Sequence, residues 1–229
     1  MKPKFLFKYL TILILLVAVS AFAQKKKIRV ACIGNSITAG YGIKDSTKFY
    51  PYQLGVLLGK NYLVKNFGVS GRTMLKKGDY PYWKENAFKE ALAFKPQIVI
   101  ICLGTNDSKP WNWKYGNEFY SDYTSMVKTF RKDGKPEIFV CDCPPAFSHK
   151  YSISDSVIHY QIIPLIDSVK KVTRTKLIDF YDQMQKDSSM FFDGIHPDDK
   201  GAYIMAKIVY NAIKKYPVRL YNNIKKTIK

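Results

Sequence analysis

Five short apolar runs recur along the chain, separated by longer stretches in which apolar residues return at helical spacing. The runs Ile28–Gly34, Tyr62–Phe67, Gln97–Leu103, Glu137–Cys143 and Lys176–Phe180 read as strands. Several are near-continuous in Val and Ile, as suits strands covered on both faces. Between them, Tyr50–Lys60, Trp83–Ala93, Glu118–Lys132 and Ser154–Thr173 read as helices, and a last helix spans about Asp199–Lys215. Pro144-Pro145 ends the fourth strand, because neither residue has a donor for the ladder. Repeated strand–helix alternation predicts a five-stranded parallel sheet with right-handed crossovers, hence a three-layer α/β/α domain. Ligands of such sheets bind beyond the carboxyl ends of the strands, so chemistry is to be sought there.

Composition adds a leader and removes some partners. Lys2, Lys4 and Lys8 precede an uncharged apolar run, Thr11 to Val19, and then Ala21-Phe22-Ala23. This is the pattern of a secretory signal peptide over residues 1–23, cut before Gln24, with one domain over 24–229. The apolar run is short for a membrane span, so export to the periplasm or outside the cell is expected, with no stable membrane insertion after cleavage. The formal charge of +19 falls to about +16 once the leader is removed. The lysines are scattered apart from Lys25-Lys26-Lys27 and the C-terminal end, and no nucleic-acid motif accompanies them. A solvated basic surface is expected, with no nucleic-acid partner. Cys32, Cys102, Cys141 and Cys143 fall in the apolar runs and read as buried free thiols. Cys141 and Cys143, two apart on one strand, are expected to project side by side from one face.

Four segments at strand ends or in late loops carry candidate chemistry. They are Gly34-Asn35-Ser36-Ile37-Thr38, Asn66-Phe67-Gly68-Val69-Ser70-Gly71-Arg72-Thr73, Leu103-Gly104-Thr105-Asn106-Asp107 and Phe192-Asp193-Gly194-Ile195-His196-Pro197. Singly, each has a plain structural use, as a helix cap, a turn or a surface histidine. Together they supply what acyl transfer needs: a hydroxyl nucleophile, a base, an orienter for the base and donors for an oxyanion. Ser36 is the candidate nucleophile. Asp193, three residues before His196, can hold one imidazole nitrogen while the other faces Ser36. The backbone N–H groups of Ser36 and Gly71, with the Asn106 amide, can converge on the oxyanion. Neither His149 nor His159 has an acid at comparable spacing in a loop that follows a strand.

These blocks, in this order, resemble those of the SGNH hydrolases, the GDSL esterase superfamily, over about residues 28–213. The resemblance implies Ser36 as nucleophile, His196 as base, Asp193 as its orienter, and Gly71 and Asn106 completing the oxyanion hole. It also implies a flavodoxin-like fold and no metal or other cofactor. Asn35 stands where many members have Asp, and Ile37 where many have Leu. The α/β-hydrolase alternative lacks its G-x-S-x-G signature at both Ser36 and Ser70.

The nearby loops hold Tyr80, Tyr82, Trp83, Trp111 and Trp113 among polar residues, which suits stacking on sugar rings. An acylated carbohydrate is the expected substrate, with Tyr82, Trp111 and Trp113 as contacts and Arg72 as reader of an anionic group, unless it pairs with Asp79 or Asp107. The loop patterns around Gly71, Gly78 and Gly104 resemble exported bacterial carbohydrate O-acetylesterases, sialate esterases most of all. Lysophospholipase or thioesterase activity, and a non-catalytic glycan-binding role on the same fold, are the competing readings.

Overall fold

The computed structural model describes residues 26–132 and 134–215. The leader and the basic C-terminal end lie outside them. Five strands, β1 (Ile28–Gly34), β2 (Tyr62–Gly68), β3 (Ile98–Cys102), β4 (Glu137–Cys141) and β5 (Lys176–Ile178), form one sheet in the order β2-β1-β3-β4-β5. Every pairing is parallel. The helices are α1 (Ser36–Ala39), α2 (Tyr50–Leu58), α3 (Asn86–Ala93), α4 (Pro110–Trp113) and α5 (Phe119–Lys132), followed by the composite α6 over 155–173, α7 (Tyr181–Met184) and α8 (Asp199–Lys215).

Alternation along each strand splits the core in two. Ala31, Ile33, Val99, Ile101, Ile138 and Val140 face one layer, where Phe88 of α3, Tyr123 and Val127 of α5 and Ile166 of α6 cover them. Val30, Cys32, Ile98, Ile100, Phe139 and Cys141 face the other, under Leu54 of α2 and Met205 and Val209 of α8. A strand buried on both faces must be apolar at every position, and β3 is buried throughout. The helices bury one stripe each. In α5, Phe119, Tyr123, Met126, Val127 and Phe130 recur at three- and four-residue spacing.

Three expectations are corrected. The single helix over Ser154–Thr173 is interrupted: Asp155–Val157 leads into a π-helical stretch, Ile158–Ile162, before Ile163–Thr173. Pro164 has no N–H to give to the turn before it, which accounts for a ladder that widens there. The helix expected from Trp83 begins as a 3-10 turn, Tyr82–Lys84, and turns α-helical only at Asn86. Cys143 does not share a face with Cys141. β4 stops at Cys141, and past its end Cys143 packs in the opposite core layer. All four thiols are free and buried.

The chain leaves β1 for β2 on one side and returns to β3 on the other. The loops after β1, β2 and β3 therefore open a crevice where the strand order reverses. Two glycines allow their close approach. A Cβ at Gly34 would lie 2.8 Å from the Cys102 carbonyl, and one at Gly68 would lie 2.7 Å from the carbonyl carbon of Thr38 in α1. Gly68→Ala should therefore push β2 and α1 apart. We expect it to lower unfolding free energy by about 1–3 kcal/mol, read by denaturant melts; a neutral result would mean that the approach has slack.

Candidate active site

The loop after β1 sets Ser36 at the start of α1. Asn35 caps that turn, its Oδ1 accepting from the Ile37 N–H at 3.0 Å, and Gly40 closes it in the left-handed region at φ 84°. Asn35 thus does the capping that an aspartate would do, and leaves its own buried Nδ2 without a partner.

His196 arrives from the last loop. Its Nε2 lies 2.9 Å from Ser36 Oγ, and its Nδ1 lies 2.8 Å from Asp193 Oδ2. Asp193 Oδ1 accepts from the backbone N–H groups of Ile195, at 2.9 Å, and His196, at 2.7 Å. One carboxylate thereby folds the turn and orients the ring. All three side chains are nearly buried. Burial alone would raise the Asp193 carboxyl, but donors from the His196 backbone and ring and from Ile195 outweigh it and hold it below the usual range.

The loops after β2 and β3 are sewn together beside Ser36. Val69 N–H donates to the Gly34 carbonyl, and the Asn66 amide donates to the Thr38 carbonyl of α1. Gly71 adopts φ 81°, which a side chain would resist. The Asn106 amide donates to the Arg72 carbonyl at 3.1 Å, and the Asn112 amide donates to the Asn106 carbonyl and to Asp79. The buried Asp107 carboxylate accepts from the N–H groups of Met74 and Leu75, at 3.0 and 2.7 Å. Gly71 and Asn106 are thus neighbours across a cross-linked pair of loops. A serine hydroxyl bonded to an imidazole that is itself held by a carboxylate can be deprotonated as it attacks a carbonyl.

Two of the expected outer contacts, Tyr82 and Arg72, are engaged elsewhere in the fold. Tyr82 is fully buried, donates its hydroxyl to the Phe67 carbonyl at 2.6 Å and packs on Phe88, so it is a core residue and touches no substrate. Its apolar ring fits under α3, where it buries more surface than it would at a rim. Trp113 is half-buried against Phe119, with its indole N–H on Gln161. Trp111 is exposed and bonded to Asp79. Arg72 pairs with Glu85, Nε to Oε1 2.8 Å, and donates to the Ser70 carbonyl; the structural acid is Glu85, not Asp79 or Asp107.

Sequence reasoning missed the rings that surround the imidazole. Tyr41, Phe192 and Tyr151 lie 4.6, 6.0 and 5.5 Å from the His196 ring, centroid to centroid. Each is about half exposed. Tyr41 and Phe192 lie within or beside the blocks already singled out, and their adjacency to Ser36 and Asp193 was a usable signal. Tyr151 had a weaker one, its place in the loop beyond the carboxyl end of β4. Among the described residues, no cluster of three or more His, Cys, Asp or Glu is placed to hold a metal ion, and no helix is long and apolar enough to cross a membrane.

A three-layer parallel domain that carries a Ser–His–Asp chain between its first and last loops has the architecture of the SGNH hydrolases. The model of the GDSL-like lipase/acylhydrolase family matches residues 32–204, and the chain belongs to that family. It is 50% identical over 211 residues to an acetylxylan esterase of Xylanibacter ruminicola, covering 83% of this chain and 44% of that protein. The chain therefore spans less than half the length of that relative. Its fold is shared with a carbohydrate acetylesterase from Sinorhizobium meliloti (TM-score 0.68, 17% identity, 82% of this chain and 99% of that one). It is shared also with an aryl esterase of M. smegmatis (TM-score 0.66, 16% identity, 82% and 99%).

Burial pushes the Asp107 carboxyl up to about 7, against the pull of its Leu75 and Met74 donors. Its folded value lies above its unfolded one. Its contribution to stability is thus complete below about pH 4 and is lost as pH rises through about 7. Asp142, raised to about 8 by burial against the pull of its Phe180 and Tyr181 N–H donors, adds to the same slope. Thermal melts should fall from pH 4 to 8, and Asp107→Asn should make the fall shallower. An unchanged slope would mean that Asp107 ionises normally.

Proposed function

We propose that the protein is an exported serine esterase that removes acetyl groups from carbohydrates through an acyl-Ser36 intermediate. The observation that carries this reading is the continuous hydrogen-bonded chain from Ser36 through His196 to Asp193, set in a crevice rimmed by half-exposed aromatic rings. His196 takes the Ser36 proton as Oγ attacks the acetyl carbonyl, and Asp193 stabilises the imidazolium that forms. The N–H groups of Ser36 and Gly71 and the Asn106 amide receive the oxyanion. The imidazolium then protonates the departing sugar oxygen. In the second half, His196 activates a water that releases acetate and restores Ser36.

Tyr41, Tyr151 and Phe192 offer flat faces to a sugar ring at the mouth, the role first expected of Tyr82. The acetylxylan esterase relationship favours a neutral acetylated polysaccharide. A sialate substrate would need a charge reader, and Arg72 is already engaged by Glu85. Export rests on the leader pattern at residues 1–23; a mature N-terminus other than Gln24 after secretion by a bacterial host would count against the cleavage site.

The direct test is acetate release from acetylated xylan, from O-acetylated sialic acid and from nitrophenyl esters of increasing chain length. We expect the xylan ester and the C2 ester to lead. A rate that climbs beyond about C8 would favour a lipid substrate instead. Ser36→Ala should lower kcat by about 10³-fold or more, and no effect would remove the mechanism. Arg72→Ala should lower kcat/KM equally on charged and neutral esters. A loss confined to the charged ester, worth about 1.5–3 kcal/mol, would restore Arg72 as a reader of anions.

A further inference from the structure

The loop that follows β4 grips the Asp193–His196 turn from outside. Phe147 N–H donates to the Gly194 carbonyl at 2.7 Å, and Ser148 Oγ donates to the Asp193 carbonyl at 2.9 Å. The Phe147 ring lies 5.2 Å from that of Phe191. The base of the loop is fixed by Ala146 N–H on Asp155, whose other oxygen accepts from the Tyr181 hydroxyl. From this platform the chain enters a backbone conformation that residues with a Cβ avoid, at two successive positions: Tyr151 at φ 59° and Ser152 at φ 58°. Neither is a glycine. A strained pair persists only where its surroundings over-determine it, and such pairs concentrate at working sites.

The side chain that this conformation delivers reaches the reacting groups. Tyr151 donates its hydroxyl to Asp193 Oδ2, the oxygen that also receives His196 Nδ1, at 3.3 Å. Its ring stands edge-on to the imidazole and edge-on to Tyr41. With Tyr151 in place, the Asp193 carboxylate accepts four hydrogen bonds, two on each oxygen. We infer that Tyr151 is a positioning residue for the reaction, holding Asp193 and His196 in line with Ser36 at the expense of a strained backbone. The titratable groups facing the pair are Tyr41 from the Ser36 loop and Tyr151 from the β4 loop, besides Asp193 and His196 themselves. Hydrogen bonding with Tyr41, then burial and the charge of Asp193, push the Tyr151 phenol up to about 12, so it is a donor throughout the working range.

This inference rests on the reading of Ser36, His196 and Asp193 as the reacting chain. Its test is a pH profile of the full-length protein on 4-nitrophenyl acetate for three variants. Tyr151→Phe keeps the ring and removes the donor. It should lower kcat about three- to tenfold with KM within about twofold. Loss of the donor leaves more negative charge on Oδ2, which favours the imidazolium, so the acid limb should move up by up to about 0.5 pH unit. Tyr151→Gly relieves the strain and removes the ring. It should melt no lower than wild type while losing at least as much kcat. A wild-type kcat and an unmoved limb in Tyr151→Phe overturn the inference, as does a Tyr151→Gly protein that keeps its rate. Ser36→Ala separates the two levels. If it is inactive while Tyr151→Phe is unaffected, only this inference fails; if it keeps its rate, the reading of the site fails and takes this inference with it.

Discussion

The carboxylate of Asp193 is the interaction on which the site depends. It fastens its own turn through two backbone N–H groups, orients the His196 ring through Nδ1 and receives the Tyr151 hydroxyl. A carboxylate this close to buried would be expensive to ionise if it lacked donors. With them it stays charged, and the imidazole is fixed in the tautomer that leaves Nε2 free for the Ser36 hydroxyl. The spacing of three residues between acid and base is what allows one side chain to make the turn and hold the ring together.

The sheet supplies the other half of the geometry. Its strand order reverses beside β1, so Ser36, Gly71 and Asn106 come from three loops that face one crevice. Loops alone would not hold positions to within a fraction of an ångström. Here they are cross-linked by Asn66, whose amide bonds the Thr38 carbonyl, by Asp107, which bonds the Met74 and Leu75 N–H groups, and by Asn112, whose Oδ1 accepts from the Asp79 N–H. Asp107 belongs to the block in which Asn106 was singled out. Asn106 gives its amide to the Arg72 carbonyl, while Asp107 ties the Met74–Leu75 backbone.

Much of this was legible in the sequence because it is written in local periodicity. All five strands and the five long helices follow from apolar spacing; their ends differ from expectation by a few residues, and the π-helical break at Ile158–Ile162 was not legible in that spacing. The hydrogen-bonded set of Ser36, His196 and Asp193 was legible because the three-residue spacing of Asp193 and His196 lets one carboxylate make the turn and hold the ring. What was hidden depends on contacts between distant segments. Nothing local distinguishes Tyr82, which a core under α3 absorbs, from Tyr151, which two unfavourable backbone angles present to the site. Arg72 was open to either reading until the fold brought Glu85 to it. Cys143 changed layers because β4 ended two residues early, and a strand pattern cannot register its own termination within an apolar run.

On the function proposed, Ser36 is made nucleophilic by His196 under the control of Asp193. The most direct measurement is covalent labelling by a fluorophosphonate at neutral pH, with the adduct located by peptide mass and its rate compared between wild type and Asp193→Asn. The wild type should carry a single adduct on Ser36, and Asp193→Asn should be labelled about 10³-fold or more slowly. An adduct on Ser70, no adduct at all, or an equal rate in the two proteins would contradict this mechanism.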